Sequence, residues 1–215
     1  PSLDQFGVPN TLDDPHLQLF DVEGNVIDAN DDWADHPNQA AIPAGIRPQA
    51  AKDAAIALTV NPGAYTAIVS GVAGVQGIGI VEIFEVDAAG DARLLNISTR
   101  SFIGTGDDVM IGGVIISGDS PLRVTFRARG PSLDQFGVPN TIDDPWMQLF
   151  DGAGNLIDQN DNWLDHASVD SLPADLHPSE SSEAVITRDL APGAYTAIVR
   201  GVGGTTGVGI VEAFL

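Results

Sequence analysis

The chain of 215 residues contains no cysteine, so disulfide bonds do not stabilise it. Its stability must come from burial of apolar side chains, from bound metal or from assembly with other chains. Aromatic residues make up only 6% of the sequence, and no apolar run reaches the roughly 18 residues of a membrane-spanning helix. The first residues lack the features of a secretion signal, as expected of a mature chain or of a piece of a longer one.

Positive charge is also scarce. Nine Lys and Arg residues stand against 30 Asp and Glu residues, and the net charge is −21. Nucleic acid is an unfavourable partner, because neutralising phosphates requires clustered Lys and Arg. The acidity is typical of a soluble surface or of a protein that binds cations.

Catalytic signatures are missing as well. The sequence contains neither G-x-S-x-G nor H-E-x-x-H. The pairs Asp13-Asp14 and Asp143-Asp144 have the composition of a glycosidase acid pair, but they lie in loops rich in Pro and Asn, where turn formation is the better interpretation. We therefore predict that the protein is not an enzyme.

What the sequence does contain is a long internal repeat. Residues 1–85 align without a gap with residues 131–215, and 49 of the 85 pairs are identical. The first ten residues, PSLDQFGVPN, return unchanged from Pro131 onward. Because the second copy starts at Pro131 and the chain ends at Leu215, the sequence holds one complete period and part of another. One of the two modules must therefore lack a piece or borrow it.

The segment between the two copies differs from them in charge. Residues 1–87 and 131–215 each carry 13 acidic and two basic residues, whereas residues 92–130 carry five arginines and three aspartates. Two interpretations stay open: ordinary variation of surface charge, or a basic segment that packs against acidic partners.

Alternating hydrophobicity predicts three strands in the basic segment and five in each acidic copy. The clearest is LRVTFRAR at 122–129, whose period of two predicts an apolar face turned inward and a basic face turned outward. The other strands of the complete period are predicted at 94–102, 109–117, 146–151, from 156, 184–190, 194–202 and 208–215.

Eight short strands per period, separated by turn signals, predict an all-β protein built of antiparallel, jelly-roll-like β-sandwich modules in tandem. Short helical turns are expected near Trp33–Asp35 and Trp163–Asp165 and in the loop after the latter. The predicted domains are a partial sandwich at 1–87 that lacks its first three strands, a linker at 88–91 and a complete sandwich at 92–215.

Four segments, taken in their order along the chain, are similar to a repeat found in large secreted bacterial proteins. They are LLNISTRSFIGTGDDVMIGGVIISG, RVTFRARGPSL, LFDGAGNLIDQNDNW and LAPGAYTAIVRGVGGTTGVGIVEAF. The stretch from LFD to GAYTAIV also resembles the bacterial pre-peptidase C-terminal domain, in its D-x-x-G-N hairpin and its late G-x-Y-x-x-x-V strand. This resemblance covers residues 92–215 and the partial copy at 1–87. It implies an extracellular, non-catalytic β-sandwich, calcium-binding in some members, with no particular ligand.

An acidic hairpin in each copy is the strongest candidate for a binding site. Calcium prefers six to eight oxygen ligands, which alternate Asp and Asn residues of a loop can supply. The other interpretation is that these residues form turns by bonding their own backbone. The candidate ligands are Asp21, Asn25, Asp28, Asn30, Asp31 and Asp35 in the first copy and Asp151, Asn155, Asp158, Asn160, Asp161 and Asp165 in the second.

Trp33 and Trp163 lie within these acidic segments. They have the chemistry to stack on sugar rings, but such a residue more often closes the end of a sandwich. Polysaccharide is therefore a second candidate partner, after other copies of the protein itself.

The incomplete copy predicts how the protein works, because an open sandwich exposes unpaired edges and apolar core. The chain is a window on a longer array, or segment 92–130 completes the first copy instead of the second, or a neighbouring chain supplies the missing strands. We predict a structural repeat protein of the bacterial surface that forms a filament, sheath or stalk. The alternative is a calcium-dependent or carbohydrate-binding accessory module of a secreted enzyme or adhesin.

Overall fold

The computed structural model describes residues 1–86 and 92–215. The chain divides into two compact units: unit 1 (Pro1–Arg93) and unit 2 (Leu94–Leu215). The linker predicted at 88–91 lies outside the described residues.

The described residues form β-strands joined by turns and short 3-10 helices, as the sequence predicts. The strands are β1 (Pro15–Phe20), β2 (Val26–Asn30) and β3 (Thr66–Gly71) in unit 1, and β4 (Asn96–Ile103), β5 (Met110–Ile116), β6 (Leu122–Arg129), β7 (Pro145–Asp151), β8 (Leu156–Asn160), β9 (Ala184–Leu190), β10 (Gly193–Gly201) and β11 (Gly207–Phe214) in unit 2. The 3-10 helices are Ser2–Phe6, Trp33–Asp35, Gln39–Ala41, Ala44–Ile46, Val72–Gly74, Pro131–Phe136, Trp163–Asp165, Val169–Ser171, Ala174–Leu176 and Val202–Gly204. Among the described residues, no helix is long and apolar enough to cross a membrane.

Unit 2 is a β-sandwich of two four-stranded antiparallel sheets. Sheet I has the order β5-β10-β7-β8, and sheet II has the order β4-β11-β6-β9. Numbered within the unit, these orders are 2-7-4-5 and 1-8-3-6, the winding of a jelly roll. The third strand, β6, is therefore a central strand that pairs with β11 on one side and β9 on the other.

The core of unit 2 lies between the two sheets. Phe126 and Ile186 from sheet II and Met147 and Leu149 from sheet I are completely buried in one apolar cluster. Every second residue of β6 and β7 contributes to it, which is the alternation that the sequence predicts for strands.

The other face of β6 departs from the prediction. Thr125 and Arg127 were expected on a solvent-facing basic surface, but both are buried. Thr125 shares a hydrogen bond with Thr187 of the neighbouring strand, and Arg127 donates to the carbonyl oxygen of Leu176 in the loop after β8. That loop contacts sheet II at Arg127, and residues 124–128 of β6 are buried on both faces.

Unit 1 retains three strands, which form a sheet of order β2-β1-β3. Its register repeats that of β8-β7-β10, including the irregularity at Phe20, which β7 repeats at Phe150. The prediction of five strands in the first copy is therefore wrong in its count. The missing two are residues 54–60 and 77–84, the counterparts of β9 and β11.

The jelly-roll order explains why these two segments are not strands. In unit 2, β6 lies between β9 and β11 and forms the ladder with both. Unit 1 has no counterpart of β6 among the described residues, so residues 54–60 and 77–84 have no strand to pair with. Side chains whose counterparts are buried in unit 2 become exposed: Ile83 is 51% exposed, whereas its counterpart Ala213 is 4% exposed.

Candidate functional site

The tip of each acidic hairpin is a turn held by one aspartate. The carboxylate of Asp151 accepts hydrogen bonds from the backbone N–H groups of Ala153 and Asn155, at 3.0 and 2.9 Å, and from the Asn155 side chain at 2.9 Å. The Asn155 side-chain bond is the main reason that the pKa of Asp151 is lowered. Asp21 and Asn25 repeat this arrangement in unit 1. These residues act as turn formers.

Asp158 on β8 is held by two basic side chains. Its carboxylate lies 3.1 Å from Nε2 of His166 and accepts a hydrogen bond of 2.8 Å from Nη1 of Arg188. Burial raises its pKa, but the hydrogen bonds from Arg188 and His166 outweigh burial, so the pKa is lowered. In unit 1, Asp28 keeps the histidine partner, His36, at 3.1 Å.

Asn160 joins the end of β8 to the start of β9. Its side chain donates to the carbonyl oxygen of Asn162 at 2.8 Å and accepts from the backbone N–H of Val185 at 2.8 Å. Asn30 makes the matching bonds in unit 1, to Asp32 and from Ala55, both at 2.9 Å. Both asparagines are buried, which makes these bonds structural.

The predicted calcium ligands do not converge on one point. Asp151, Asp158 and Asn160 are each committed to a separate set of hydrogen bonds, and their counterparts in unit 1 follow them. Asp161 lines a surface cleft, and Asp165 is exposed at the end of a 3-10 helix. Within residues 1–86 and 92–215, no three carboxylate or imidazole groups are arranged to hold a metal ion.

Trp163 and its counterpart Trp33 are both partly buried. The ring of Trp163 lies 4.9 Å from that of His177, tilted by 40°. The backbone N–H of Trp163 donates to the carbonyl oxygen of Glu183, and Trp33 makes the same bond to Asp53, both at 2.9 Å. Each tryptophan is therefore tied through its backbone to the residue that precedes β9 or, in unit 1, segment 54–60.

A group of buried charges in sheet II escaped the sequence analysis. Glu183 is completely buried, and its Oε1 accepts hydrogen bonds from the backbone N–H groups of Gly130 and Ser132, each at 3.0 Å, and from the Ser132 hydroxyl. Its Oε2 lies 3.7 Å from Nε of Arg129, which also donates to the Ser132 oxygen at 3.0 Å. The carboxylate thus fixes the chain where β6 ends.

The second acid of this group is Glu212 on β11. Arg127 of β6 binds its Oε2 through Nε and Nη2, both at 2.7 Å, and Arg129 lies 4.0 Å away. The Arg127 guanidinium also lies over the ring of Phe214, 5.0 Å from its centre. We call Arg127, Arg129, Glu183 and Glu212 the arginine–glutamate cluster. It ties β6 to both neighbouring segments of sheet II.

Unit 1 retains the acids of this cluster without the arginines. Asp53 stands in the position of Glu183, Glu82 in that of Glu212 and Phe84 in that of Phe214. Asp53 pairs instead with the amino group of Pro1 at 3.1 Å. Glu82 is exposed and forms no ion pair with any described residue. The recurrence of an acid at both positions, beside the arginines of LRVTFRAR, is the sequence signal that could have revealed the cluster.

A shallow cleft of about 430 Å³ opens at one end of unit 2. It is lined by Trp146, Asp161 and Arg200 and by the glycine-rich turns Gly104–Gly106 and Gly201–Gly204. An aromatic ring beside a carboxylate and a guanidinium is an arrangement suited to polar ligands such as sugars.

Comparison with solved structures finds a likeness to the pre-peptidase C-terminal domain of a collagenase from Bacillus anthracis. The match covers 55% of this chain and 89% of that domain, with 11% sequence identity and a TM-score of 0.36. No protein-family model and no curated protein matches the chain.

Proposed function

We propose that the protein is a non-catalytic structural protein of the bacterial exterior whose modules join by strand addition, building a filament, sheath or stalk. The observation that carries the proposal is the open side of unit 1, where segments 54–60 and 77–84, the counterparts of β9 and β11, lack a central strand between them. Exposed backbone groups and apolar side chains at such a position bind an added strand.

The free energy available from closing this face is large. Val81 is 39% exposed and its counterpart Val211 is 3% exposed, and Ile56 and Ile83 also lie less buried than their counterparts. Complete burial of one such side chain stabilises a protein by roughly 1.5–3 kcal/mol. Covering several of them together favours association wherever a further donor strand or the open face of another chain is available, because the gain then opposes the entropic cost of joining two molecules.

The resemblance to secreted bacterial repeats supports the extracellular and non-catalytic parts of the proposal. The main chain at the two carboxylate pairs has the same structural role in both units. The backbone carbonyl of Asp144 accepts from Val202, and that of Asp14 accepts from Val72, both at 2.9 Å. These pairs therefore hold the same turn in both units.

Light scattering and negative-stain microscopy of the full chain test the proposal. We expect the apparent mass to rise with concentration and elongated assemblies to be visible. Ile83→Lys, which places a charge on the open face, should reduce association at least about tenfold, which corresponds to ~1.4 kcal/mol. Leu164→Lys is the matched control, because Leu164 is similarly exposed but lies outside that face. A monodisperse monomer across all concentrations would contradict the proposal.

The second candidate function is that of a carbohydrate-binding accessory module, which the cleft at Trp146 favours. Its test is calorimetry with soluble polysaccharides on the full chain and on Trp146→Ala. Binding that disappears in the variant would support this function, and unchanged heats in both proteins would oppose it.

A further inference from the structure

We propose that unit 1 is a receptor for an additional segment with the residue pattern of Leu94–Gly130, and that two arginines of its third strand bind Asp53 and Glu82. This inference rests on the proposed function and specifies the partner by its chemistry. The partner is a three-stranded basic segment, not a general apolar surface.

The two edges of the receptor are already anchored as they are in unit 2. The backbone N–H of Ala55 donates to Asn30, as that of Val185 does to Asn160. The first edge, segment 54–60, therefore starts at the position that β9 occupies in unit 2.

The second edge is anchored in the same way. Ile78 donates to the carbonyl oxygen of Asn10 at 2.8 Å, and Val208 donates to that of Asn140 at 2.7 Å. A parallel bridge joins Thr11 to Ile78, matching the bridge of Thr141 to Val208 at the start of β11 in unit 2. An incoming strand would find both neighbours fixed at one end.

The register of unit 2 assigns the partner of each incoming residue. Arg127 lies opposite Glu212 on β11 and Val185 on β9, and Phe126 lies opposite Ala213 and Ile186. Transferred to the matching positions of the first copy, the incoming arginine faces Glu82 and Ala55. The incoming phenylalanine faces Ile83 and Ile56.

The charge of the receptor matches the segment. In unit 2, Arg127 binds Glu212 at 2.7 Å, and Arg129 lies 3.7 Å from Glu183. Both acidic positions persist in unit 1, although many other positions differ between the two copies. Glu82 is exposed while unit 1 is open, and a strand that covers segment 77–84 would bury it. A buried acid is costly without a basic partner, so the two acids favour a strand that brings arginine.

The aromatic residue beside the acids is retained as well. Phe214 lies beneath the Arg127 guanidinium, and Phe84 occupies the same position on the exposed segment 77–84. An incoming arginine would reach Glu82 and cover the Phe84 ring in one placement.

The donor for unit 1 must be a further segment of this kind, in addition to Leu94–Gly130 of the chain itself. The resident β4, β5 and β6 are already paired within unit 2. Moving them to unit 1 would open residues 131–215 to the same extent. One resident donor cannot complete two acceptors, so an exchange among identical chains leaves the number of open units unchanged.

Hydrogen exchange on an extended chain tests the inference. A second copy of Leu94–Gly130 is fused directly ahead of Pro1 of the full protein, which recreates the Gly-Pro junction of Gly130 and Pro131. We expect the amides of residues 54–60 and 77–84 to exchange at least about 100-fold more slowly than in the unextended chain. Amides of β9 and β11 serve as internal controls and should not change.

The control is the same fusion with Arg127→Glu and Arg129→Glu in the added copy only. It should lose the protection, and Glu82→Arg in unit 1 should restore part of it. Unchanged exchange in the first fusion, or equal protection by the charge-reversed copy, would overturn the inference. If the unextended chain still associates in that case, the proposed function stands. If the fusion is protected but the unextended chain never associates, the inference stands and the proposed function fails.

Discussion

At the scale of single residues, the clearest consequence concerns Arg127. Its guanidinium is buried between Glu212, the carbonyl oxygen of Leu176 and the Phe214 ring. Removing one partner of a buried ion pair leaves the other charge uncompensated, which is far more destabilising than losing an exposed pair.

Arg127→Met should therefore destabilise unit 2 by about 3 kcal/mol, toward the lower end of the range because Arg129 remains near Glu212. Arg123→Met is the matched control: Arg123 is on the same strand and faces Asp189 at 3.5 Å, but both side chains are exposed. Its cost should stay below ~1 kcal/mol. Urea denaturation followed by tryptophan fluorescence measures both, and equal costs would contradict the assignment.

The stability of unit 2 depends on pH through Asp158, and the direction of this dependence follows from the pKa of its carboxyl group. Its pKa in the folded state lies below the ordinary value of 3.8 because its bonds from Arg188 and His166 outweigh burial. The carboxylate therefore stabilises the fold above that value, and the contribution is lost as the pH falls through the folded-state pKa.

Arg188→Leu, which introduces the residue found at this position in unit 1, should lower the melting temperature at pH 7 and have a smaller effect near pH 2. Thermal denaturation at the two pH values measures the difference. An effect of Arg188→Leu that is the same at both pH values would show that the ion pair with Asp158 is not its source.

At the scale of elements, the sequence predicts the strands of unit 2 to within about two residues. The strand expected at 184–190 is Ala184–Leu190, and that expected at 194–202 is Gly193–Gly201. Period-two hydrophobicity is a local property, so a single strand can be predicted without knowing its neighbours. The failure at 54–60 and 77–84 shows the limit, because those residues have the pattern of strands but lack a strand to pair with.

Calcium binding at the acidic hairpin stays a prediction. If calcium recruits Asp158 and Asp161 together with backbone oxygens, millimolar calcium should raise the melting temperature relative to EDTA. Asp161→Asn should abolish the rise, whereas Asp170→Asn, on an exposed part of the following loop, should not. Identical melting curves in calcium and EDTA would leave these residues with their structural role alone.

At the scale of the whole molecule, the two copies of one sequence differ in local stability. Phe84 is exposed and lies outside any strand, whereas Phe214 belongs to β11. Tyr65 precedes β3, whereas Tyr195 lies within β10. Segments without a hydrogen-bonded ladder open at a lower free energy than paired strands.

Limited digestion with chymotrypsin should therefore cut after Phe84 and Tyr65 well before Phe214 and Tyr195. Phe6 and Phe136, which are about equally exposed, are a matched pair that should not show this difference. Mass spectrometry of a digestion time course identifies the order. Cleavage after Phe84 and Tyr65 at the same rates as after Phe214 and Tyr195 would mean that the two units are equally closed.

The sequence by itself determined the all-β class, the repeat, the strand positions of unit 2 and the hairpin turns, because alternation and turn chemistry act between residues close in the chain. Only the tertiary structure decided that β6 is a central strand covered on both faces. The acidic partners of its arginines, Glu183 and Glu212, lie far from β6 along the chain and meet it only through the fold. The strand order of the jelly roll also decided that segments 54–60 and 77–84 of unit 1 remain unpaired, because a β-strand forms only when it can pair with a neighbouring strand.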